Sequence, residues 1–95
     1  MAFSGFREDN ELKRTLEKVV LHEGLESIGA GWFKSTSIKT INIPKSVKTI
    51  GENAFLQCGA LTSVTFAQDS QLTAIENRAF KDCKSLKNID LPMSL

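Results

Sequence analysis

Two thiols, Cys58 and Cys83, one imidazole, His22, and eleven carboxylates are the groups in this chain that could carry covalent, acid-base or metal chemistry. Structural zinc takes a tetrahedral ligand set, which two Cys and one His outside the Cys positions cannot supply, so no metal is expected. A catalytic thiol needs an accessible thiolate lowered in pKa beside a base, and no base lies near either Cys in sequence. Gly-x-Ser-x-Gly, the P-loop and His-Glu-x-x-His are absent, and the acids lie mostly in N-terminal and turn segments. Gly29, Gly51 and Gly59 occur singly and read as turn glycines rather than a phosphate cradle. His22 follows a strand and reads as a solvent-facing turn residue. The chain is expected to be no enzyme and to take no cofactor.

Twelve Lys and Arg against eleven Asp and Glu leave a net charge of +1, which gives no general attraction to nucleic acid or an anionic membrane. Lys34, Lys39, Lys45 and Lys48 fall where no acid occurs between Glu26 and Glu52. They read as a solvated face, with an acidic-ligand patch as the alternative. No run approaches the roughly 18 apolar residues of a membrane span, and MAFSGFREDN lacks the basic-then-apolar order of a signal peptide. No Asn-x-Ser/Thr acceptor occurs.

Chains of this length bury a modest fraction of their surface, so some device beyond a conventional core must supply order. Internal repetition is that device. Units starting at Leu16, Ile38, Leu61 and Leu86 read LEKVVL, IKTINI, LTSVTF and LKNIDL, apolar at positions one, four and six and spaced by 22, 23 and 25 residues. Their second halves, LESIGAGWFKSTS, VKTIGENAFLQCGA and LTAIENRAFKDCKS, share an apolar-x-x-Ile start and an aromatic five residues after that Ile. In two of them Cys58 or Cys83 follows three residues later. The organisation expected is a partial repeat or N-terminal cap over 1–15, repeats over 16–37, 38–60 and 61–85, and a truncated fourth repeat over 86–95. FAQDSQL stands in place of IPKSV with two extra residues, which a surface turn can absorb.

Alternating stretches such as Thr-Ile-Asn-Ile and Ser-Val-Thr-Phe predict half-buried strands that stack, one per unit, into a parallel sheet. The face opposite the core then carries Lys18, Val20, Thr40, Asn42, Ser63, Thr65, Asn88 and Asp90. Pro44 and Pro92 directly follow their strands, where a missing N–H does least harm. Return segments of turn or short helix drive Phe33, Phe55 and Phe80 into the interior, which marks them as core rather than base-stacking platforms. Trp32 has no counterpart in the other units and reads as part of a cap or as an exposed partner anchor. Cys58 and Cys83 occupy equivalent positions and should lie one above the other as buried, reduced thiols that pack as small hydrophobes, although parallel stacking does not exclude a disulfide.

These columns resemble the BspA-like class of leucine-rich repeat; IKTINIPKSVKTIGENAFLQCGAL, residues 38–61, follows its pattern almost position by position. The resemblance covers about residues 16–95. It implies a leucine-rich-repeat solenoid of α/β type, with one short parallel strand per unit and turn or helical return segments. It also implies a cell-surface or secreted setting and roles in adhesion and host-protein binding. Trp32-Phe33 in place of Ala-Phe, Thr36 at the Cys position and Glu76 at the Gly position depart from the pattern, the last suggesting a relaxed turn.

Both ends look cut, since Ala2 to Phe6 resembles the tail of a preceding unit and Leu86 to Leu95 stops halfway. A helix over residues 10–17 would cap the first full unit; a loop is the alternative. Uncapped ends favour pairing with further copies. Two functions follow: a protein-binding or adhesion module using the sheet face, or a structural spacer and self-assembling unit with no separate ligand. The partner is another protein or the chain's own copies.

Overall fold

The computed structural model describes residues 17–94. The first expected segment, 1–15, and all of the proposed 10–17 helix but Glu17 lie outside them, as does Leu16. Six short strands run through the described residues: β1 Ser27–Ile28, β2 Thr40–Ile43, β3 Thr49–Ile50, β4 Ser63–Phe66, β5 Ala74–Ile75 and β6 Asn88–Ile89. They form two parallel sheets, ordered β1-β3-β5 and β2-β4-β6. One strand per unit was expected, so the first sheet is a correction. Ile28, Ile50 and Ile75 were read as the opening of a return segment, yet they pair in register from one turn of the chain to the next. Of the two alternatives for the return segments, turn or short helix, the structure shows turns: among the described residues there is no helix.

Alternation sets the second sheet. Thr-Ile-Asn-Ile alternates exposed and buried along β2, so Ile41, Ile43 and Val64 point into a core that also holds Ile28, Phe33, Ile38, Val47, Ile50, Phe55, Leu61 and Leu72. Each fully buried side chain of this size is worth about 1.5–3 kcal/mol of transfer free energy. Phe33, Phe55 and Phe80 stack near-parallel, with centroids 5.3 and 5.1 Å apart. The two extra residues of FAQDSQL form a surface turn closed by Ser70 N–H on the Ala67 carbonyl, with Asp69 at φ 66°.

The backbone of the return segments 29–36, 51–58 and 76–83 is satisfied by division of labour. Trp32, Lys34 and Thr36 donate their N–H groups to the carbonyls of Gly29, Gly31 and Phe33, closing successive tight turns. The intervening Gly31, Phe33 and Ser35 donate instead to Glu52, Ala54 and Leu56 in the next segment, and Asn53, Phe55 and Gln57 donate onward to Asn77, Ala79 and Lys81. Buried amides must find partners, and here alternate ones find them along and across the chain. The turns require left-handed residues at two positions four apart: Gly31 and Ser35, Asn53 and Gln57, Arg78 and Asp82.

Gly51 serves a different purpose from the turn role expected of it. A Cβ there would lie 2.7 Å from the Ala30 nitrogen and 2.9 Å from the Ile28 oxygen, so its place depends on close backbone approach rather than positive φ. Gly29 is crowded instead by the Trp32 indole. Glu76 keeps the same hydrogen bonds as Gly51, its N–H to the Ile50 carbonyl and its carbonyl to Ala79 N–H.

Candidate functional site

Parallel register assembles the expected sheet face into two columns. Thr40 is the partner of Ser63, and Ser63 of Asn88, while a single parallel bridge joins Lys18 to Thr40. Beside it Asn42 pairs with Thr65, with Val20 preceding and Asp90 following in the same alternation. Lys18, Val20, Thr40, Asn42, Thr65 and Asp90 are exposed and Ser63 is half-buried. Val20, 64% exposed, is the large apolar side chain of this set.

The columns are tied laterally. Thr65 donates its hydroxyl to Asn42 Oδ1 at 2.9 Å. Thr62 donates to the Lys39 carbonyl at 3.1 Å, and Lys39 Nζ meets Glu17 at 3.2 Å along the rim. A shallow hollow of about 180 Å³ lies at one end of the face, between Lys18, Val20, Thr40 and Asn42.

The lysine-rich stretch is not one patch. Lys39 pairs with Glu17, Lys48 Nζ lies 4.0 Å from Glu26, and the Lys45 backbone N–H donates to Glu23. Each acid precedes its partner by 22 residues, the same offset as the Lys18–Thr40 bridge. The pairs reinforce register between neighbouring turns of the chain. They were visible in the sequence as equal offsets, a signal the reading of the lysines alone overlooked.

The two thiols occupy a second, interior column. Cys58 is buried, but Cys83 is only half-buried, which corrects the expectation that both are enclosed. Cys58 donates its S–H to the Phe33 carbonyl at 3.0 Å, and Cys83 donates to the Phe55 carbonyl at 3.1 Å. Thr36, the column's first member, lies 3.5 Å from Cys58 Sγ. A hydrogen bond from Cys83 pulls the Cys58 thiol down to about 7 against its burial, and the same contact pushes Cys83 well above the usual thiol range. The two thiols therefore titrate as a coupled pair.

His22 is exposed in a turn whose Leu25 N–H reaches its carbonyl at 3.4 Å. Trp32 is half-buried and meets Phe33 edge-on, centroids 6.4 Å apart, a packing position rather than a projecting one. A groove of about 620 Å³ follows residues 19–27 with Trp32 in its wall. Among the described residues no three His, Cys, Asp or Glu side chains gather where they could hold a metal ion, and no helix is long and apolar enough to cross a membrane.

Comparison with known proteins gives one match. The family model described as BspA type Leucine rich repeat region (6 copies) matches residues 10–95. No curated protein and no solved structure matches the chain.

Proposed function

Because this chain belongs to the BspA-type leucine-rich-repeat family, we propose that it is a non-catalytic binding module, a piece of a repeat solenoid whose contact surface for another protein is the β2-β4-β6 face. Families of this repeat are interaction modules and generally not enzymes, and adhesion at a cell surface is the setting that best suits the reading. The observation that carries it is the register that lines up Lys18, Thr40, Ser63 and Asn88 and, beside them, Asn42 and Thr65, on strands whose alternate residues Ile41, Ile43 and Val64 are locked in the core. A rigid backing fixes where each small polar group stands. With no aromatic anchor among them, affinity per unit is modest, and a longer array gains by multivalency.

The test compares three immobilised proteins: the wild type, a face variant carrying Thr40→Arg and Thr65→Arg, and an outer-turn control carrying Gln57→Arg. Proteins retained by the wild type and the control but lost by the face variant support the reading. Equal retention by all three, or loss by the control alone, refutes it.

A further inference from the structure

We propose that Cys58 and Cys83 are a redox modification site: a thiol pair at rest that peroxide closes into a disulfide joining two successive return segments. The pairing follows from the fold. The Gln57 N–H donates to the Lys81 carbonyl at 2.8 Å, and Phe55 stacks on Phe80 at 5.1 Å with ring planes 2° apart, so the residues leading into each Cys are already in register. Parallel neighbours stand about 4.8 Å apart, inside the roughly 4.4–6.8 Å between Cα atoms that a disulfide accepts.

One carbonyl links the two directly, since the Phe55 oxygen accepts Cys58 N–H at 3.2 Å and Cys83 S–H at 3.1 Å. Each thiol has an oxygen partner in the reduced form, which makes the dithiol the resting state and the disulfide a state entered on oxidation. Thr36 fills the same position one segment earlier. The column therefore tolerates a residue without redox chemistry, and pairing is confined to its last two members.

Cys83, the half-buried member, meets the oxidant. Its S–H proton leaves to solvent as its sulfur attacks one peroxide oxygen. The O–O bond breaks, leaving Cys83 as a sulfenic acid and releasing hydroxide, which takes a proton to become water. The Cys58 sulfur then displaces the sulfenic hydroxyl. The S–O bond breaks, the S–S bond forms, and a second water departs. Two thiols and one hydrogen peroxide give one disulfide and two waters, and a dithiol reductant reverses the change.

Hydrogen peroxide treatment of the native full chain, followed by intact mass and non-reducing peptide mapping, tests this. The expected product has lost two hydrogens, shows one linked pair of peptides containing Cys58 and Cys83, and reverts with dithiothreitol. Cys58→Thr and Cys83→Thr, which copy Thr36, should both lack it. Sulfinic or sulfonic acid on Cys83 beside an unmodified Cys58 would overturn the proposal, as would dimers linked through Cys83, or no oxidation where free cysteine is oxidised. If a Thr variant fails to fold, the wild-type peptide map decides alone.

Discussion

Replacing Phe55 by Ala is the most severe single change the ring column allows. Phe55 is fully enclosed and sandwiched, with Phe33 at 5.3 Å on one side and Phe80 at 5.1 Å on the other. Truncating a buried Phe costs about 3–5 kcal/mol, and two ring partners, each worth about 0.5–1.5 kcal/mol beyond area burial, place this site at the upper end. Total stability for a domain of this size is about 5–15 kcal/mol. With a urea slope of about 1–3 kcal/mol per molar, the unfolding midpoint should fall by about 2–5 M or the chain should fail to fold. Phe80, only half-buried and stacked on Phe55, should lose about half as much on the same substitution. Urea titrations followed by far-ultraviolet circular dichroism give both numbers. A Phe55→Ala cost below about 1.5 kcal/mol, or a Phe80→Ala cost equal to it, would refute the argument that the stack is held from both sides.

Three further outcomes are expected. Asn53 sits at φ 61° where the preceding segment has Gly31 at φ 70°, and its Oδ1 is enclosed without a hydrogen-bond partner. Asn53→Gly should therefore stabilise by about 1 kcal/mol, raising the calorimetric melting temperature by about 4–8 °C; a fall would show that the side chain contributes more than it costs. The double variant Glu17→Gln and Glu26→Gln should lose about 0.5–1 kcal/mol at low salt, because both ion pairs are exposed. That loss should vanish near 1 M salt, where screening acts over about 3 Å, and a difference that persists there would count against pairing as its cause. With Cys58 near 7 in the fold and about 9.0 when unfolded, the unfolded chain holds more protons between those values, so stability should rise with pH across that window. Above it the sign reverses, because Cys83 keeps its proton in the fold. Melting temperatures against pH should show this hump in the wild type and not in Cys58→Thr; identical profiles would remove the Cys58–Cys83 coupling from the account.

The β2-β4-β6 columns and the buried Phe33 and Phe55 were legible because period-two alternation and a fixed aromatic spacing are strong signals, each backed by burial. The β1-β3-β5 sheet was not, because a two-residue strand such as Thr49–Ile50 contains no alternation to detect. Gly51 was recognised as special but for the wrong reason, since only coordinates reveal the Ala30 backbone that a Cβ would strike. Left-handed Ser35, Gln57 and Arg78 are residue types that rarely adopt that conformation, and the inter-segment hydrogen bonds hold them there against local preference. Cys83 matched Cys58 in the repeat, yet equal position does not give equal burial, because what covers a side chain is the neighbour stacked on it.

The alternate amides of the return segments have an electrical consequence. The peptide groups joining Glu52 to Asn53, Ala54 to Phe55 and Leu56 to Gln57 each point their carbonyl back toward the preceding segment and their N–H toward the following one. Within the strands successive peptides oppose each other and cancel, but along the turn side these moments add, as they do in an α-helix. That side of the protein is a small electret whose positive pole faces the C-terminal direction of the stack, and each repeat added in the same sense lengthens the dipole without changing its sign.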